Sequence, residues 1–188
     1  MPADDLFAPP PDLPVPVDDG ACDHLVGLEM PPVSLTATSG FDVRLDDVKS
    51  PFTVVYGYPR TGVPGQDLLP GWNEIPGARG CTPQNCAFRD HHAELQMLGA
   101  TVYGLSTQTT EYQREMAQRL HLPFPVLSDS GLELTKALKL PTFEAGGETL
   151  LKRFSMILFG TRIEHVIYPV FPSDSDAPAV VKWLSAHQ

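Results

Sequence analysis

Cys81 and Cys86 stand five positions apart in the segment GCTPQNC, residues 80–86, and the chain has only one other cysteine, Cys22. Three chemistries fit such a pair: shared ligation of a metal ion, burial as two small apolar side chains, or a reactive thiol with a second thiol placed to answer it. A zinc site needs four ligands. Only His91 and His92 lie nearby, and adjacent residues on a helix cannot both face one point, so one is expected against the core and the other in water. Free cysteines are often simply buried, which keeps the apolar reading open.

The reactive reading follows from position. With Thr82 as cap and Pro83 as opening residue, a helix is expected over about 83–98, its inner face carrying Phe88, His92, Leu95 and Leu98 and its end marked by Gly99. Cys81 then lies at the helix N-terminus, where unpaired backbone N–H groups and the positive end of the macrodipole favour a thiolate, the nucleophilic form. Arg79 adds positive charge two residues earlier. Cys86 follows about 7.5 Å along the axis and about 140° around it. An intact helix therefore keeps the sulfurs apart, and the first turns must unwind before they can bond. Such a pair suits a cycle in which Cys81 is oxidised and Cys86 then resolves it.

Several elements must position these thiols. VSLTA and FDVRL alternate around Ser39-Gly40 as a hairpin does. FTVVYGY, residues 52–58, is a nearly unbroken β-branched and aromatic run expected at the centre of a sheet. A Gly- and Pro-rich loop over about 59–80 is too long for a mere connection; its Trp72 serves as an anchor or as a lid. Strands at TVYGLS and PFPVL alternate with helices around Tyr112, Met116 and Leu120 and over LELTKALKL. RFSMILF and IEHVIY read as a tight hairpin, and Asp176, Pro178 and the stripe Ala177, Val180, Val181, Leu184 as a capped terminal helix. The order argues for an α/β fold, thioredoxin-like, with a central mixed β-sheet flanked by helices.

Composition narrows the partners. The net charge is −10 with no basic cluster, which argues against nucleic acid. No apolar run is long enough to span a membrane, and Asp4 and Asp5 stand where a secretory signal would be basic. With three cysteines, a disulfide framework is a poor fit and a reducing, cytoplasmic setting is expected. Residues 1–32 are rich in Pro and Asp and read as an extended arm or partly disordered tail, leaving 33–188 as the domain proper. Cys22 sits in that arm among acidic neighbours, which raise a thiol pKa and leave it inert.

GCTPQNCAFRDHHAEL resembles the motif of the peroxiredoxins of the Q, or bacterioferritin-comigratory-protein-like, branch, and VYGLST, FPVLSD, RFSMIL and RIEHV match further along in the same order. The resemblance implies a thiol-dependent peroxidase without metal, heme or flavin. Cys81 would be the peroxidatic cysteine, Cys86 the resolving one, and Arg153 the arginine that steadies the thiolate and orients the peroxide. It further implies a peroxide substrate and a thioredoxin-like dithiol reductant; a monomer or weak homodimer is expected.

One departure stands out. The family pattern Pro-x-x-x-Thr/Ser-x-x-Cys places a hydroxyl three residues before the cysteine, where this chain has Ala78, with Glu74 at the proline position. The segment from Pro59 resembles the start of that loop, but Val63 takes the hydroxyl position and Gln66 the cysteine position, as though about 66–80 were inserted. Pro59, Thr61 and Arg79 are therefore expected at the peroxide, with Thr61 reaching in if the insertion loops out. A general thiol-disulfide oxidoreductase, or a redox sensor or binding module on the same scaffold, are the alternative readings.

Overall fold

The computed structural model describes residues 5–188. Its centre is a seven-stranded sheet in the order β2-β1-β5-β4-β3-β8-β9. The strands are β1 (Ser34–Ala37), β2 (Asp42–Arg44), β3 (Phe52–Gly57), β4 (Ala100–Ser106), β5 (Val126–Ser128), β8 (Phe154–Phe159) and β9 (Arg162–Ile167). β3 pairs parallel with β4, and β4 with β5; the other pairings are antiparallel. All six residues of β3 are buried, as its unbroken apolar run requires of a strand covered on both faces.

Alternation along β3 assigns its side chains to two cores. Val54 and Tyr56 face α1 (Cys81–Asp90), α2 (His92–Met97), α3 (Thr110–Arg119) and α5 (Asp176–Ala186), meeting Phe88, Leu95, Met116, Val180 and Leu184. Val55 faces the other way, toward Leu134 and Leu138 of α4 (Glu133–Leu138). Helices thus cover both faces of a mixed sheet, the thioredoxin-like arrangement expected.

The segment before β1 is docked in part and not extended throughout: residues 20–28 coil through successive turns, with the Asp23, Leu25 and Leu28 N–H groups donating to the carbonyls of Gly20, Cys22 and Leu25. Leu25 and Met30 are buried in the Val55 core, and the backbone from Gly27 to Met30 exchanges hydrogen bonds with Thr161 and Ile163 beside β9. Apolar residues among the prolines explain this: they gain burial without needing a helix or a strand of their own.

Three local expectations change. The single helix over 83–98 is two, because His91 (φ −90°, ψ 1°) ends α1 and begins α2. Thr82 and Pro83 do not open α1; it starts at Cys81, behind Gly80. A two-stranded sheet, β6 (Thr142–Ala145) with β7 (Glu148–Leu151), lies apart from the main one. Its turn is Gly146-Gly147, both at positive φ, the conformation a tight two-residue hairpin demands.

Candidate active site

Gly80 fixes where α1 begins. Its φ of 101° is left-handed, and a Cβ there would stand 2.3 Å from Ser173 Oγ, so only glycine fits. The turn delivers Cys81 as the first helical residue, 3% exposed. The first turn is braced from beneath: Asn85 Nδ2 donates to the Cys81 carbonyl at 2.8 Å, and Tyr56, stacked on Phe88 at 4.1 Å, donates its hydroxyl to Asn85 Oδ1 at 2.6 Å.

Arg153, between β7 and β8, is buried against the sulfur. Its Nη2 lies 3.3 Å from Cys81 Sγ and 3.2 Å from each of the carbonyls of Gly77, Ala78 and Arg79. One guanidinium therefore ties the end of the long loop to the thiol. A fixed cation at this distance stabilises a thiolate by a charge-assisted contact. Cys81 Sγ also approaches the Ala78 carbonyl at 3.6 Å.

Behind Arg153 runs a second layer. Its Nη1 donates to Gln84 Oε1; Gln84 Nε2 in turn donates to Asp176 Oδ2 at 2.6 Å, and Ser155 Oγ donates to the same oxygen at 2.8 Å. Asp176 is wholly buried, and desolvation pushes its carboxyl up to about 6, against the opposing pull of Gln84, Ser155 and the Arg153 charge. Asp176 was expected to cap the terminal helix. Ser175 takes the cap position instead, and Asp176 turns one oxygen to the Ala177 N–H and the other into the site.

Cys86 lies one and a half turns further along the unbroken α1, half-buried, with all three cysteines free. Burial pushes its thiol up, opposed by the charges of Arg89 and Arg119. Cys22 is buried as well; burial and then Asp19, Asp18 and Asp23 push its thiol up to about 12. Among the described residues no three His, Cys, Asp or Glu side chains gather to share a metal ion, and no helix is long and apolar enough to cross a membrane.

The long loop forms a roof. Arg60 and Gly62 line the small opening over Cys81 together with Gly80 and Thr82, so the two ends of the loop do meet at the sulfur. Thr61 itself is buried and lines the adjoining pocket, with its Oγ1 unpartnered, its N–H bonded to Gln108 Oε1 and its carbonyl to the Tyr112 hydroxyl. Pro59 is buried behind it. Arg79 lines the opening, and Trp72 does too while packing on Phe143, Ala78 and Leu150. The structure thus gathers Cys81, Arg153 and Arg79, and holds Cys86 apart. Sequence reasoning missed Gln84, Asn85, Tyr56, Ser155 and Asp176.

Residues 25–181 match the family described as Redoxin. The chain belongs to the Redoxin family. Among redoxin relatives, the chloroplastic peroxiredoxin Q of Sedum lineare is 32% identical over 142 residues, covering 76% of this chain and 67% of its own. Peroxiredoxin Bcp of Bacillus subtilis is 30% identical over 112 residues, 60% of this chain and 62% of its own. The chain thus spans about two thirds or less of the length of these curated relatives. The redoxin fold is shared with peroxidoxin BcpB of Mycobacterium tuberculosis (TM-score 0.70, 22% identity, 88% of this chain and 99% of that one). Peroxiredoxin Q of Xanthomonas campestris is similar too (TM-score 0.68, 21% identity, 85% and 96%). The branch that GCTPQNC resembles is therefore the one its relatives occupy.

Proposed function

We propose that this redoxin is a thiol-dependent peroxidase that reduces hydrogen peroxide and small organic hydroperoxides, its catalytic domain at 33–188 preceded by the arm. The contact between Arg153 Nη2 and Cys81 Sγ at the start of α1 carries the reading. The Cys81 thiolate attacks the terminal peroxide oxygen, forming an S–O bond as the O–O bond breaks. The leaving alkoxide or hydroxide takes up a proton and departs as alcohol or water, and Arg153 offsets the charge that moves between sulfur and oxygen. Cys81 is left as a sulfenic acid.

Cys86 then gives up its proton, attacks that sulfur and expels water, closing a Cys81–Cys86 disulfide after α1 unwinds. A thioredoxin-type dithiol in the cytoplasm supplies two electrons by exchange and becomes a disulfide itself. Arg79 adds charge at the mouth, and Pro59 and Thr61 shape the backbone that reaches it.

Stopped-flow mixing with hydrogen peroxide tests this. Cys81→Ser is expected to lose the fast oxidation, while Cys86→Ser undergoes one oxidation and stops. Equal reaction of wild type and Cys81→Ser would end the proposal. Insulin reduction as fast as peroxide reduction would instead favour a general thiol-disulfide oxidoreductase.

A further inference from the structure

The arm contributes a residue to the opening over Cys81. Leu6 lines it with Gly62, Leu68, Trp72 and Arg79, and a Cβ on Gly62 would lie only 2.6 Å from Leu6 Cδ2, so Leu6 sits directly on the loop backbone. Arg79 Nη2 donates to the Asp5 carbonyl at 3.0 Å, and the Phe7 N–H closes a turn on Asp5 Oδ1 at 2.9 Å. Among the described residues before Asp18, the Arg79 contact is the one hydrogen bond that reaches the body of the protein. The first described residues of the arm are therefore tied to the body by this hydrogen bond and by the seating of Leu6 on Gly62.

What remains of the opening is about 10 Å³, at the lower limit for a single water. With so little room left, a peroxide reaching Cys81 through this opening has to move part of its lining, and Leu6 is the lining residue that the arm contributes. Leu68, which meets Gly62 beside Leu6, and Trp72 give the opening an apolar side, in contrast to the guanidinium-bearing Arg60 and Arg79. The Leu68 and Trp72 side of that lining suits an alkyl or aryl group carried by a hydroperoxide, and Leu6 lines the same opening.

We propose that Leu6 is a specificity-determining residue, a plug in the apolar slot that the organic group of a hydroperoxide must occupy while its peroxide oxygens meet Cys81. This rests on the reading of Cys81 as the attacking thiol. Hydrogen peroxide needs only a small shift of the plug, whereas a bulky organic hydroperoxide must expel it, so the arm sets the ratio between the two.

The test compares the full-length reduced protein with Leu6→Ala and Leu6→Trp, by stopped-flow oxidation with hydrogen peroxide and with cumene hydroperoxide. Leu6→Ala is expected to speed the cumene hydroperoxide reaction about tenfold, with hydrogen peroxide changing less than about threefold. Leu6→Trp is expected to move the ratio the other way. A ratio unchanged in both variants overturns the plug alone. Failure of the unaltered protein to react with either peroxide overturns the reading of Cys81, and the plug with it.

Discussion

The floor and the roof of the Cys81 site are built by different physics. The floor consists of α1, β3, β8 and the start of α5, elements whose side chains are buried and joined in continuous hydrogen-bonded runs: Tyr56 to Asn85 to the Cys81 carbonyl, and Asp176 through Gln84 to Arg153 and the sulfur. The roof is loop and arm, held by a few apolar side chains and by bonds to backbone carbonyls such as Tyr112 to Thr61 and Arg79 to Asp5. Buried networks lose heavily when one member is removed, because its partners stay behind unpaired. Part-buried single contacts to a loop backbone lose less, because water can replace them when the loop shifts. On the proposed function, chemistry belongs to the floor and access to the roof.

The largest break in that contrast is Arg153→Met. It removes the cation at the sulfur and frees three carbonyls, and the second-order rate with hydrogen peroxide is expected to fall at least about a hundredfold, as read by stopped flow on folded protein. A rate that stays near wild type would put the chemistry elsewhere.

A smaller effect is expected from Asp176→Asn, read against pH. The native carboxyl titrates near 6, above the ordinary 3.8, so the folded protein holds this proton more tightly than the unfolded chain. Its extra stability is complete below about pH 4 and is lost as pH rises through 6, about 3 kcal/mol for a shift of this size. Urea unfolding should therefore show the wild type losing stability relative to Asp176→Asn between pH 4 and 7. A constant difference across that window would mean the carboxyl is not buried as described.

Tyr112→Phe, in the roof, sharpens the comparison from the other side. It deletes one bond to the Thr61 carbonyl and keeps the ring under the Arg60 guanidinium. A cost of about 1 kcal/mol in thermal stability is expected, with the hydrogen peroxide rate changing less than about twofold if roof contacts do not touch the reacting atoms. A loss as deep as that of Arg153→Met would erase the distinction.

Much of the floor was legible because its signals are local or periodic. The run at 52–58 could hardly be anything but a central strand, and Gly80-Cys81 followed by a helix announced a thiol at an N-terminus. What escaped depends on which way a side chain turns. Asp176 looks like a cap in any sequence, and only the packing of α5 against β8 shows that its second oxygen points inward to Gln84 and Ser155. Gln84 and Asn85 read as ordinary polar helix residues until burial reveals that both are structural. The hairpin of β6 and β7 was available in the Gly-Gly pair between two alternating segments. The roof was least legible, since nothing in its composition says that Leu6 returns to meet Gly62.

The break at His91 bears on the proposed step in which Cys86 approaches Cys81. Because α1 and α2 are separate helices, melting the first need not propagate into the second, which keeps Leu95 seated against β4. The rearrangement that the proposed disulfide requires would then be confined to the ten residues of α1. Amide exchange should report this directly: oxidation to the disulfide is expected to strip protection from residues 82–90 and leave 95–98 slow. In the proposed cycle His91 would act as a firebreak, letting the helix that carries Cys81 come apart while the fold around it stays whole.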